Sequence, residues 1–387
     1  LKTTRVLVVL LILALAGGAL ALYAYRTVTA FQDTPFGTDQ EKVVEVPPGS
    51  SARAVVRLLA RAGVLSDERL AWWYVRWLRH DRRPMRAGEY AFTGPLRPDE
   101  ALEKVYRGEV KLYHFTIPEG LRMDEIAPLI EKSGLAHATD LATLMHDRKL
   151  AADLSVPFSN LEGFLFPDTY SFSKGPRPRA ILSAMVTRFQ DEYRKANATR
   201  QPSVTLSEGQ VATLASIVEK ETGRPDERPH IACVFFNRLA RGIRLQTDPT
   251  VMYATMLRNG GRWSKNISKA DLLAPHPYNT YTTSGLPPGP IASAGAAALW
   301  AVLHPARCDD LFFVSRNDGS HVFCPNLSCH NAAVQRWQID FFRSHGSAAA
   351  AQQTSTSAAP RAAPAQPATA KRAAPGASHR QRSVRPR

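Results

Sequence analysis

Two glutamates, Glu219 and Glu221, close an apolar segment that reads VATLASIVEKET from Val211 to Thr222. A carboxyl held away from water keeps its proton to higher pH and can then serve as a general acid. The chemistry therefore depends on which of the two faces inward. Ser207 with Gln210 three residues on forms a capping box that starts a helix, and Gly223 followed by Pro225 marks its stop. At about 100° per residue the two carboxyls stand about 200° apart, so they cannot act as the paired carboxylates of an ordinary glycosidase. With Val211 at zero, Ile217, Leu214 and Val218 define an apolar sector from ~240° to ~340°; Glu221 falls inside it at ~280°. Glu219 falls at ~80°, towards the edge or solvent. Glu221 is thus the acid expected to be desolvated.

Polar and aromatic residues follow in three clusters, RLQTDPTVMY (244–253), HPYNTYTTSGLPPGPI (276–291) and CHN (329–331). Gln246, Thr247, Asp248, Tyr278, Asn279, Thr280, Tyr281 and Asn331 are the candidate substrate-binding residues among them. Amides and hydroxyls beside aromatic rings suit carbohydrate, which offers hydroxyls and apolar ring faces, although the same groups also recognise protein. Glu162 and Asp168 sit in an aromatic loop, NLEGFLFPDTY (160–170), which reads first as a buttress with capped carboxylates. Cys233 lies in an apolar helical pattern from Ile231 to Leu239 and is expected to be a buried free thiol. Cys308, Cys324 and Cys329 lie in loop-rich sequence and leave room for one disulfide. With His304 and His330 they also suggest zinc, but the spacings are irregular and no C-x-x-C pair occurs, so no metal is expected.

The elements that must carry these residues are of mixed type, and the fold class is read as α+β. Residues 42–108 form a small α+β unit. It has a strand at Val43 to Val46, a helix begun by Ser51, a second helix after Ser66, a strand from Glu89 to Phe92 and a helix from Arg97 to Tyr106. The block WWYVRWLRHDRR in it resembles an aromatic and basic nucleic-acid surface. Its spacing instead puts Leu70, Trp73, Tyr74, Trp77 and Leu78 on one buried stripe, with Trp72 off it. A strand from Lys111 and a helix from Met123 to Ile130 then open a mixed α/β region, 109–345.

The ends of the chain fix the compartment. The 387 residues carry a formal charge of +15, which by itself suggests nucleic acid. Seven of the basic residues lie in a tail, 346–387, rich in Ala, Pro, Ser and Gln, with no aromatic and no acidic residue; such a tail is expected to be disordered. From Val6 to Tyr25 no residue is charged, which is enough helix to cross a bilayer. Residues 1–30 are read as a cytoplasmic stub and transmembrane anchor. A cleaved signal peptide with Ala19-Leu20-Ala21 as its site is the competing reading. Either way the remainder lies outside the cytoplasm, which excludes chromosomal DNA as a partner.

The motifs PEG (118–120), EGFLFPDTY (162–170), LASIVEKET (214–222), NRL (237–239), RLQTDPTV (244–251), YNTY (278–281), GLPPGPI (285–291) and HN (330–331) occur in one order. In this the chain resembles the YceG-like endolytic murein transglycosylases, from the anchor to about residue 345. The resemblance implies that Glu221, the second glutamate of EKET, is catalytic. It implies a single-pass bacterial inner-membrane enzyme with its catalytic domain in the periplasm. That enzyme would cut nascent glycan strands between N-acetylmuramic acid and N-acetylglucosamine to leave 1,6-anhydro ends. It also implies a LysM-like subdomain at 42–108, peptidoglycan strands and cell-wall synthases as partners, and no cofactor. A hydrolytic muramidase, with Asp248 or Asp168 as second carboxylate, and a non-catalytic peptidoglycan-binding scaffold are the rival readings. The four cysteines and the long tail depart from the family pattern.

Overall fold

The structure, a computed structural model, describes residues 2–79, 81, 83–175, 177–264, 266–341 and 343; the tail at 346–387 lies outside the described residues. The first helix, α1 (Lys2–Asp33), carries the apolar run, whose side chains from Val6 to Tyr25 are exposed. It is long and apolar enough to cross a membrane. It does not stop at residue 30. Val28 and Phe31 are buried in the core of the following lobe, and α1 packs on two of that lobe's helices.

That lobe is built from β1 (Lys42–Val46), α2 (Ala52–Arg61), α3 (Glu68–Trp73), a π-helical turn (Tyr74–Leu78), β2 (Gly88–Phe92) and α4 (Pro98–Arg107). β1 and β2 pair antiparallel, with Val44 opposite Tyr90. Ser51 caps α2 by accepting from the Ala54 N–H, and Asp67 caps α3 through the Arg69 and Leu70 N–H groups. The expected aromatic stripe is corrected here. Ala71, Tyr74 and Val75 are buried and Trp72 packs against the core, whereas Trp73 and Trp77 are 55% and 54% exposed. Trp73, in α3 ahead of the π-helical turn, lies on the far side of the helix from the face that Ala71, Tyr74 and Val75 bury. Trp77 lies within the turn, whose larger number of residues per turn changes the direction that 3.6 residues per turn assigns.

The second core is larger. It begins with β3 (Leu112–Thr116), α5 (Met123–Lys132), α6 (Ala138–Met145) and α7 (Arg148–Asp153), followed by β4 (Thr169–Ser173) and α8 (Pro178–Asn197). The helices α9 (Glu208–Glu221), α10 (Arg228–Ala240), α11 (Asp248–Arg258), α12 (Lys269–Leu273) and α13 (Ala296–Leu303) come next. The hairpin of β5 (Phe312–Ser315) and β6 (His321–Cys324) and the helix α14 (Leu327–Val334) close it. β3 pairs with β4 and β5 with β6, both antiparallel. Helices therefore dominate, and among the described residues every sheet has two strands, which is an α+β arrangement. The two cores meet at Glu89 of β2, which accepts hydrogen bonds from Tyr113 of β3 and from Lys174.

The chain divides into two units after Asn331. The described part of the second contains the last turn of α14 and a π-helical turn, Gln335–Asp340.

All four cysteines are paired, Cys233 with Cys308 and Cys324 with Cys329. This corrects the expectation of a free Cys233 thiol. Cys233 is buried on α10 as its apolar neighbours require, but its partner lies 75 residues away, where no local pattern points.

Candidate active site

α9 runs through the middle of the larger core, with α10, α11 and α13 packed on it. Ser207 starts it with the expected capping box, its Oγ accepting from the Gln210 N–H while Gln210 Oε1 accepts from the Ser207 N–H. It ends without the left-handed cap expected of Gly223. Thr222 is already extended, at φ −144° and ψ 137°, so the chain leaves straight after Glu221.

Every residue from Val211 to Val218 is buried. The helix is enclosed on all sides, so both carboxyls at its end are taken from water, and Glu219 does not face solvent. Glu219 Oε1 accepts from Arg228 at 2.6 Å, and its Oε2 accepts from the Gly295 N–H at 3.1 Å. Burial pushes its carboxyl above the usual range, while Gly295 and Arg228 pull it back. A Cβ at position 295 would lie 1.8 Å from Glu119 Oε1, so the Glu119 side chain closes over this glycine and would have to move for any other residue.

Glu221 is different. Its carboxyl accepts no hydrogen bond and makes no ion pair with any described residue, and its surface is partly open. Dense protein nevertheless surrounds it. Desolvation, with the charge of Asp248 added, pushes its pKa up to about 8, against a smaller opposing pull from Arg238. At neutral pH it therefore keeps its proton and has no intramolecular acceptor for it.

Two other glutamates are desolvated. Glu162 is fully enclosed and pushed up to about 7, but it accepts from the Met123 N–H at the start of α5 and from Tyr253 Oη. Glu208 is also raised by burial, and its Oε1 has no hydrogen-bond partner among the described residues, but it stands in the first turn of α9, at the opposite end from Glu221. Asp168 pairs with Arg188 at 2.7 Å and accepts from the Thr169 N–H. The 160–170 loop thus has the capped carboxylates of a buttress. Gly163 within it has φ +79°, and a Cβ there would overlap Pro290. The loop packs on the 285–291 segment at that point. That segment is in turn held to α9, because Ser216 Oγ accepts from the Ile291 N–H at 3.0 Å.

The eight candidate binding residues separate into two groups. Asp248, at the first turn of α11, accepts from Tyr281 Oη at 2.7 Å; both feel the charge of Glu221. Gln246 is exposed at φ +50°, with its N–H donating to Thr280 O. Asp248 and Tyr281 thus lie close enough to the open acid for charge to act between them. By contrast Thr247, Asn279 and Thr280 are buried scaffold. Asn279 Nδ2 donates to the carbonyls of Asp271, Leu272 and Ala274, while Thr280 Oγ1 accepts from the Thr247 N–H. Tyr278 packs on Tyr253, ring centroids 4.9 Å apart, on the Glu162 side. Asn331 is exposed on α14, and none of its side-chain atoms hydrogen-bonds to the cluster.

One residue escaped the search for site chemistry. Arg238 on α10 is buried, donates from Nε to Leu311 O and from Nη1 to Leu245 O, and lies close enough to Glu221 for their charges to interact. It fixes the loop that delivers Gln246 and Asp248. The sequence signal was a basic residue inside an otherwise apolar helix face.

His230, Cys308 and Asp310 come together, with His230 Nε2 2.7 Å from Asp310 Oδ2. Cys308 is committed to its disulfide and offers no thiolate to a metal.

Residues 44–336 match the model of the YceG-like family. The endolytic murein transglycosylase of Bacillus subtilis (strain 168) is 30% identical over 310 residues, which cover 76% of this chain and 84% of that one. That of Streptococcus pneumoniae serotype 2 (strain D39 / NCTC 7466) is 27% identical over 334 residues, 78% of this chain and 59% of its own longer length. A crystal structure of a yceG-like protein from Listeria monocytogenes superposes with a TM-score of 0.50 at 30% identity, covering 76% of this chain and 99% of that one. The family match spans both cores and the whole Glu221 cluster, and the chain therefore belongs to the YceG-like family.

Proposed function

We propose that this protein is an endolytic lytic transglycosylase of peptidoglycan, with Glu221 as its acid and then its base. The observation that carries the reading is the unpartnered, desolvated and still accessible carboxyl at the end of α9. The names of the relatives support the substrate. Protonated Glu221 gives its proton to the oxygen between N-acetylmuramic acid and N-acetylglucosamine, and the C1–O bond breaks. The carboxylate then takes the proton of the muramyl C6 hydroxyl as O6 bonds to C1 of the same ring. The ends are 1,6-anhydromuramyl, and no water is consumed. One carboxyl suffices because donor and acceptor steps follow one another, and because the nucleophile is intramolecular. Asp248 and Tyr281 stand where positive character develops at C1. The anionic Asp248 opposes ionisation of Glu221 at the start and favours the cationic sugar later.

The lobe from β1 to α4, with two helices between its paired strands, is proposed as a LysM-like subdomain, with boundaries near 42–108 and a catalytic region following from 109. α1 is proposed as a single-pass anchor in the bacterial inner membrane that leaves the catalytic region in the periplasm, near the synthases that make the strands.

The test is Glu221→Gln. It should keep the fold and bind glycan strands, yet release no anhydro ends by mass spectrometry. Anhydro ends released at the wild-type rate would remove Glu221 from this role. Products heavier by one water would instead identify hydrolysis.

A further inference from the structure

The exposed tryptophans of the small lobe have no role in the reaction. Trp73 and Trp77 stack at 6.2 Å on the outer face of α3 and its π-helical turn, and the Arg76 guanidinium lies 4.8 Å from the Trp77 ring. Arg69 and Arg76 are exposed, and neither makes an ion pair with a described residue. An open Trp pair flanked by free cations is costly to leave in water, and it has the composition of a membrane-interface anchor.

The position of α1 identifies what covers it. The charge-free run ends at Tyr25, and the same unbroken helix buries Val28 and Phe31 in the core that α3 completes. At 1.5 Å per residue those side chains lie about 5 Å and 9 Å beyond the end of the run. The polar layer of a bilayer is about 5–8 Å deep on each side. Val28 thus lies within that layer and Phe31 at its outer edge, so a helix packed on α1 here sits at the headgroup surface.

We propose that Trp73 and Trp77, with Arg69 and Arg76, seat the small lobe on the headgroup region of the bilayer that α1 crosses. This surface holds the catalytic region at a set height and angle over the membrane. The proposal rests on the anchoring role of α1 given above. Binding of a glycan strand to the same tryptophans is the competing outcome.

The experiment uses the full chain in proteoliposomes made with lipids brominated high on the acyl chain, with wild type compared against W73F/W77F. Bromolipid quenching of the tryptophan emission in wild type should be lost in the double variant. Arg76→Glu should weaken the quenching, and more so in vesicles rich in anionic lipid. The proposal is overturned if wild type and W73F/W77F are quenched alike. It is also overturned if soluble glycan strands, and not bromolipid, perturb the Trp73 and Trp77 emission in detergent. Two further readouts separate the readings. Release of wild type by alkaline carbonate removes the anchor and this proposal with it. Failure of wild type to cleave glycan in the same vesicles removes the transglycosylase reading alone. W73F/W77F should cleave soluble strands at the wild-type rate, which shows that it is folded.

Discussion

Glu221 is set apart from Glu162 and Glu219 by its lack of partners, since all three are desolvated. A buried carboxyl with donors around it is a structural group, whereas one without them stores a proton that only a substrate can take. The sign of the pH dependence follows. With a pKa near 8, Glu221 is a competent acid at neutral pH, and the first step should fail as pH rises through about 8. A profile of kcat/KM against pH for anhydro-end release should show that alkaline limb. Asp248→Asn removes the like charge that helps to raise Glu221, so the limb should move to lower pH as the rate itself drops. An unmoved limb would mean that the titrating group is not Glu221. The residue types at this site were legible in the sequence, and so was the desolvation of Glu221. The division of the binding set was not. Thr247, Asn279 and Thr280 have the composition of a sugar site, but their hydrogen bonds are spent on the backbone around them.

α9 shows where the helical-wheel argument for Glu221 was incomplete. The wheel assumes one wet face, and this helix has none between Val211 and Val218. Glu219 is buried too, and it is quenched as an acid by Arg228 on α10 and by the Gly295 N–H at the start of α13. That pair ties three helices together at the catalytic end. Removing Glu219 leaves the buried Arg228 with Glu119 alone, at 3.3 Å, so Glu219→Gln should cost up to about 3–5 kcal/mol in chemical denaturation. Changing both residues, Glu219→Gln with Arg228→Met, should recover much of the loss. A single-variant cost below about 0.5 kcal/mol, the scale of an ordinary surface substitution, would show the pair to be ornamental. Helix starts were readable because Ser51 and Ser207 act on N–H groups two or three residues away. The π-helical turn at Tyr74–Leu78 was not, and it changes the direction of Trp77.

Across the whole molecule, two cores are joined at Glu89, and α1 runs from the apolar run into the first of them. The larger core is also cross-linked, since Cys233 on α10 is bonded to Cys308 next to the β5–β6 hairpin. A link across 75 residues removes loop entropy from the unfolded chain, and its loss should cost about 2–5 kcal/mol. Thermal melts of wild type against Cys233→Ser/Cys308→Ser should show that loss under non-reducing conditions. Added reductant should bring the wild type down to the variant. Equal melting temperatures would count against a structural role for the bond.

By itself the sequence determined what is written locally or in motif order. It set the apolar span, the caps of α2 and α9, the α+β character and the desolvation expected of Glu221. Each of these depends on residues a few positions apart, or on an ordered set of motifs. Only the tertiary structure decided who is paired with whom. Arg228 reaches Glu219 and Arg238 holds the Asp248 loop across the end of a helix, and Cys308 reaches Cys233 across 75 residues, so no single helical period links any of these partners. The proton on Glu221 is the sum of both. Its position comes from the helix, and its lack of partners comes from everything folded around it.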